Sequence, residues 1–139
     1  MYSNDEDYLE IKLYQESNFL YSKWKRSVSS EEFRAGVREL LRILQQEEVY
    51  YWIMNSEKLP TLIISEQQWV LREVCPLLAN SQLQKLAFIG NGDAFSYLII
   101  ENLAERASQT HSYQLAFKQC KTQEEAMLWC NFYEKRHSA

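Results

Sequence analysis

Three cysteines, two histidines and 19 acidic residues are the side chains of this 139-residue chain that could hold a metal, attack a substrate or move a proton. A metal centre needs several such groups at workable spacing. His111 falls in a turn and His137 in a polar stretch, neither with a patterned partner, so no metal and no cofactor is expected. A cysteine nucleophile needs a nearby base and a lowered pKa. Cys75 precedes a proline in a helical pattern and Cys130 lies on an apolar helical stripe, so both read as small core fillers. Cys120 follows an edge strand, reads as more exposed and has no histidine beside it. An odd number of cysteines without CxxC spacing fits reduced thiols in a cytoplasmic protein.

The glutamates and glycines give as little chemistry. Glu31, Glu32, Glu124 and Glu125 stand where helices begin, placed to cap free amides and complement the helix dipole. No GxGxxG or GxxxxGK[ST] stretch offers a phosphate cradle. Asn91-Gly92-Asp93 reads as a turn whose Asn91 or Asp93 caps the following helix. No catalytic residue is assigned, and the expectation is a protein that is not an enzyme.

The elements that would position any site are easier to read. Val49-Tyr50-Tyr51-Trp52-Ile53-Met54 is an uncharged run of β-formers, apolar on both faces, and marks the middle of an α/β sheet. Before it, Tyr8–Tyr14 alternates with Leu9, Ile11 and Leu13 on one face. Phe19–Lys25 is a second strand, and the short turn between the two forces an antiparallel hairpin. Ser29-Ser30-Glu31-Glu32 is a capping box opening a helix to about Glu48, with Phe33, Val37, Leu40, Leu41 and Leu44 inward.

Beyond the central run, Ser65 is expected to cap a helix from Glu66 to about Ala79, kinked or loosened by Pro76. Leu86–Ile89 is another interior strand. Phe95, Leu98, Ile99 and Leu103 are expected to form the buried face of the next helix. Tyr113, Leu115 and Phe117 mark an edge strand, and Thr122 opens a last helix bearing Ala126, Trp129, Cys130 and Tyr133. The order is β-β-α-β-α-β-α-β-α: an α/β fold on a five-stranded, mostly parallel sheet, with the antiparallel hairpin at its start.

Composition bounds the rest. At 46% hydrophobic and 24% charged, with three glycines and two prolines, residues 1–139 read as one globular domain with an ordered core about 8–133. The net charge is −4. Lys23, Lys25 and Arg26 are the densest basic group and do not amount to a nucleic-acid surface. Met1–Asp7 is polar without a signal-peptide core, and no run is long and apolar enough for stable membrane insertion.

The order of elements resembles the STAS-like fold of anti-sigma-factor antagonists, which also covers the lipid-binding part of Sec14-type proteins. Tyr21-Ser22-Lys23-Trp24-Lys25, Ser29-Ser30-Glu31-Glu32-Phe33, Tyr51-Trp52, Gln68-Trp69 and Pro76 resemble small single-domain bacterial STAS-like proteins, over about Tyr8 to Tyr133. These motifs are caps and core aromatics, so they bear on fold more than on function. In the antagonists a serine after the central strand is phosphorylated; the resemblance places Ser56 there, without the acidic residue before it.

Together these readings give a cytoplasmic interaction or regulatory module acting on an unidentified protein partner. The alternative is a small carrier or sensor of an apolar, lipid-like ligand. A carrier needs an enclosed apolar pocket of roughly a few hundred cubic ångströms, and five strands and four helices are expected to leave little such room. A homodimer is also expected. The central strand is apolar on both faces, and right-handed crossovers would put the helices mainly on one of them. Tyr21, Tyr50 and Trp52 are the expected interface residues.

Overall fold

A computed structural model of the chain describes residues 2–111 and 115–131. The expected hairpin is present as β2 (Leu9–Tyr14) and β3 (Phe19–Trp24), paired antiparallel from Leu9↔Trp24 to Tyr14↔Phe19. A further strand precedes it. β1 (Tyr2–Asp5) pairs antiparallel with β2, so among the described residues the sheet has six strands rather than five and β2 is not its edge. Tyr-Ser-Asn-Asp has no apolar alternation to announce a strand. It is held by backbone pairing and by Lys25, whose Nζ lies 2.7 Å from an Asp5 carboxylate oxygen. A polar, charged edge also discourages sheet-to-sheet aggregation.

The capping box at Ser29 forms as read. Its hydroxyl accepts from the Glu32 amide, the Glu32 carboxylate accepts from the Ser29 amide, and α1 runs Ser30–Gln46. The central strand β4 is Tyr51–Asn55, two residues later at its start than the apolar run. Val49 is buried ahead of it, and the Tyr50 and Tyr51 amides both donate to the Asn18 carbonyl. β4 pairs parallel with β3 and with β5 (Lys85–Ile89), and β5 pairs parallel with β6 (Ala116–Cys120).

The helix after β4 departs from its reading. α2 spans Ile64–Trp69, begins behind Ile63 with no side-chain cap, and leaves Ser65 exposed inside its first turn. Glu66 sets that phase: it is buried and receives a two-pronged contact from Arg34 on α1 at 3.0–3.3 Å. The chain then passes through a π-helical turn, Val70–Val74, into α3 (Cys75–Ala79). Pro76 would crowd the Arg72 carbonyl in a regular α-helix. The wider turn, in which the Cys75 amide reaches back to the Val70 carbonyl, accommodates it without a break.

α4 (Ala94–Thr110) and α5 (Gln123–Trp129) are the last two helices among the described residues, capped by Asp93 and Thr122 respectively. Strand order in the sheet follows chain order, β1 to β6. One face carries Leu9, Ile11, Leu13, Leu20, Trp24, Trp52 and Met54 against α1, Trp69 and Val74. The other carries Phe19, Tyr21, Ile53, Ala87, Ile89 and Cys120 against Ala126 and Cys130. This second face was expected to stay bare for a partner; α5 covers it within the chain. Tyr113 and Tyr133 lie outside the described residues.

Candidate functional site

The parallel strands β4, β5 and β6 end side by side at Asn55, Ile89 and Cys120, and a cleft opens beyond them. Local hydrogen bonding builds its walls. Asn55 accepts from the Glu57 amide at 3.1 Å, turning the chain sharply after β4, and the Ser56 amide donates to the Ile89 carbonyl at 2.7 Å. Asn91 ties the next loop to the start of α4. Its Nδ2 donates to the Leu59 carbonyl (3.1 Å) and to the Ser96 hydroxyl (3.2 Å), and its Oδ1 accepts from the Asp93 amide. The Asp93 carboxylate in turn accepts from the Ser96 amide at 2.8 Å, and the Thr61 and Ser96 hydroxyls share a hydrogen bond. Gly92, at φ +85°, supplies the left-handed turn between them.

These bonds draw Ser96 inward and fix the rotation of α4. Its buried positions are Ser96, Leu103 and Ala107, and the expected apolar face is displaced. Phe95 and Leu98 are 67% and 64% exposed rather than buried. The first turns of α4 thus stand beside the strand ends, leaving a cleft of about 700 Å³ between them and the Ser56–Leu62 loop. This cleft is open to solvent along α4, where Tyr97 and Leu98 of its wall are exposed, so it differs from the enclosed pocket expected of a carrier. Leu59, Leu62, Phe88, Ile99 and Ile100 make its wall chiefly apolar, and Ser56, Asn91 and Lys121 bring polar groups to it.

Two further features belong to the cleft. Ser56 stands in its wall, 1% exposed, and its hydroxyl has no hydrogen-bond partner among the described residues. Leaving such a group unsatisfied costs about 1–3 kcal/mol. A smaller apolar gap of about 120 Å³ adjoins, between Trp52, Phe88 and Phe33, the π-helical Val70 and Val74, and Ala104 of α4. Leu59, Leu62, Phe88 and Ile100 line both spaces.

The residues expected at an interface are dispersed. Trp52 is buried beneath α1, its Nε1 donating to the Ser22 hydroxyl at 2.9 Å. Tyr21 is buried on the opposite face, its hydroxyl donating to Gln123 of α5 at 3.2 Å, and burial raises its pKa. Tyr50 is half-buried and hydrogen-bonds to the Glu48 carboxylate, which raises its pKa too. Tyr21 and Trp52 therefore offer no common surface to a partner.

All three thiols are free and buried, Cys120 included, against the expectation of greater exposure there. Burial pushes Cys75 and Cys130 up to about 11 and raises Cys120 as well, with Glu125 adding to that shift. Among the described residues no group of histidine, cysteine and carboxylate side chains is arranged to hold a metal, and His137 lies outside them. No helix among them is long and apolar enough to cross a membrane. No family model matches the chain, and neither does any curated protein or solved structure.

Proposed function

We propose that the chain is a non-enzymatic, STAS-like regulatory module that takes up a small, largely apolar ligand in the cleft and acts through protein contacts. The single observation behind this is the cleft of about 700 Å³ beyond the ends of β4, β5 and β6. Small ligands bind in concave pockets of about 300–1,000 Å³ with apolar walls and a few polar groups. The buried, high-pKa thiols speak for a role without nucleophilic chemistry.

In this reading Ser56 is a ligand contact rather than a phosphorylation switch, because a kinase cannot reach a side chain that is 1% exposed. The protein partner, or a second copy of the chain, docks elsewhere. Ile63 and Ile64 are 60% and 70% exposed, and Phe95 projects from α4. Exposed apolar groups of this size favour association there.

Native mass spectrometry of protein purified from its own host tests both parts. The expected result is a species heavier than the 16.6 kDa polypeptide by one small molecule, released on collisional activation. Only bare polypeptide, with no thermal shift across a panel of small metabolites, would overturn the ligand reading.

A further inference from the structure

We infer that the ligand is a neutral amphiphile, whose one carbonyl or hydroxyl oxygen meets Ser56 and whose apolar body extends into the gap beside α4. This rests on the reading of the cleft as a ligand site and specifies what that site accepts.

The apolar half follows from shape. The cleft and the 120 Å³ gap lie on either side of Leu59, Leu62, Phe88 and Ile100, so a ligand body that reaches the gap from the cleft passes between these apolar side chains. The gap is lined by aliphatic and aromatic residues, among them Phe33, Val37, Trp52, Val70 and Leu103. A lining this apolar favours a hydrocarbon group over water.

The polar half follows from charge. The cleft wall includes Asp93, Glu125 and Lys121. Asp93 is engaged in capping α4 through Ser96, and Glu125 accepts from the Lys121 amide at 3.4 Å. An anionic head would face two carboxylates with one lysine against them. A cationic head would draw Asp93 from its cap. A buried charge without a partner is far costlier than a buried carbonyl, which needs only one hydrogen bond. Ser56 has that bond to give, since its hydroxyl has no partner among the described residues. The contact requires the hydroxyl to turn toward the cleft about χ1, a motion open to side chains on fast timescales.

Four eight-carbon probes separate the classes: 2-octanone, 1-octanol, octanoate and octylammonium, titrated into the full-length ¹⁵N-labelled chain. The two neutral probes are expected to shift the Leu59, Phe88 and Ile100 amides saturably, with the charged pair at least about tenfold weaker. Ser56→Ala should weaken the neutral probes by about five- to tenfold. Shortening 2-octanone to 2-hexanone and 2-butanone should lose about threefold per methylene in the parent chain. Ala104→Leu, which fills the gap, should flatten that series. If that variant does not fold, the series in the parent still decides the point.

Stronger binding of octanoate or octylammonium would overturn the neutral class and leave the ligand site standing. Unchanged affinity in Ser56→Ala would remove Ser56 from the contact and overturn the assignment. Saturation confined to Ile63, Ile64 and Phe95 would place the probes on the outer surface and overturn it equally. If no probe binds, the class is wrong; the cleft reading falls with it only if host-purified protein also carries no small molecule.

Discussion

Glu32 accepts hydrogen bonds from the Ser29 amide at 3.0 Å and from Arg26 at 2.8 and 3.1 Å, and the guanidinium is the larger cause of a pKa lowered to about 2. A carboxyl depressed on folding stabilises the native state fully above its unfolded value and loses that contribution as pH falls through the folded one. Stability should therefore decline between about pH 4.5 and 2, less than the shift alone implies because the pair is solvent-screened. Melting temperatures of Glu32→Gln across that window should fall less steeply than those of the parent; equal slopes would contradict this. The caps give a second comparison. Ser29→Ala and Thr122→Ala should each cost about 0.5–2 kcal/mol in urea denaturation, whereas Ser65→Ala should be nearly neutral. The Ser/Thr-x-x-Glu/Gln spacing made all three look alike. What separates Ser65 is Arg34, 32 residues before Glu66, and no local pattern reports a partner that distant.

Among the elements, α1 shows how a mid-helix glycine carries information that propensity alone hides. A Cβ at Gly36 would lie 2.7 Å from Trp24 Cη2 and 3.0 Å from Leu9 Cδ2. Trp24 is itself held between Tyr8 and Phe33, with ring centroids 6.4 and 5.7 Å away, so the indole has little freedom to yield. Gly36→Ala should gain up to about 1 kcal/mol in helix propensity and lose about 1–3 kcal/mol to overpacking. The net expectation is destabilisation by chemical denaturation, and a more stable variant would refute the close approach. Periodicity located α1 well because one face is continuously apolar. It held at Leu103 but failed in the first turns of α4, where Ser96 is drawn inward by Asn91, Asp93 and Thr61, and the apolar Phe95 and Leu98 are carried outward. Three polar contacts there outrank hydrophobic pattern in setting the helix phase.

At the scale of the whole molecule, the handedness of strand–helix–strand crossovers was enough to place most helices on one face. It could not place α5, because among the described residues no strand follows α5 to define a crossover. Its side is decided by packing of Ala126 and Cys130 on Ile53, Ala87 and Ile89, and that choice removed the bare face from which a dimer was expected. The cleft was illegible for a related reason: it is the space left by the position of α4, and no single residue encodes it. Removing residues 121–139 should expose Phe19, Tyr21 and Ile53 together. The truncated protein is expected to bind apolar dyes and self-associate in light scattering; a folded, monomeric product would show that α5 is dispensable as cover.

The sheet's linear strand order also has a consequence in time. As the chain leaves the ribosome, each new strand meets an edge already built by the strand before it, so closure loops stay short and pairing need not wait for distant sequence. Only the second face must wait, uncovered from the emergence of β3 until α5 follows. Nascent protein stalled after β6 is the form a chaperone would bind best.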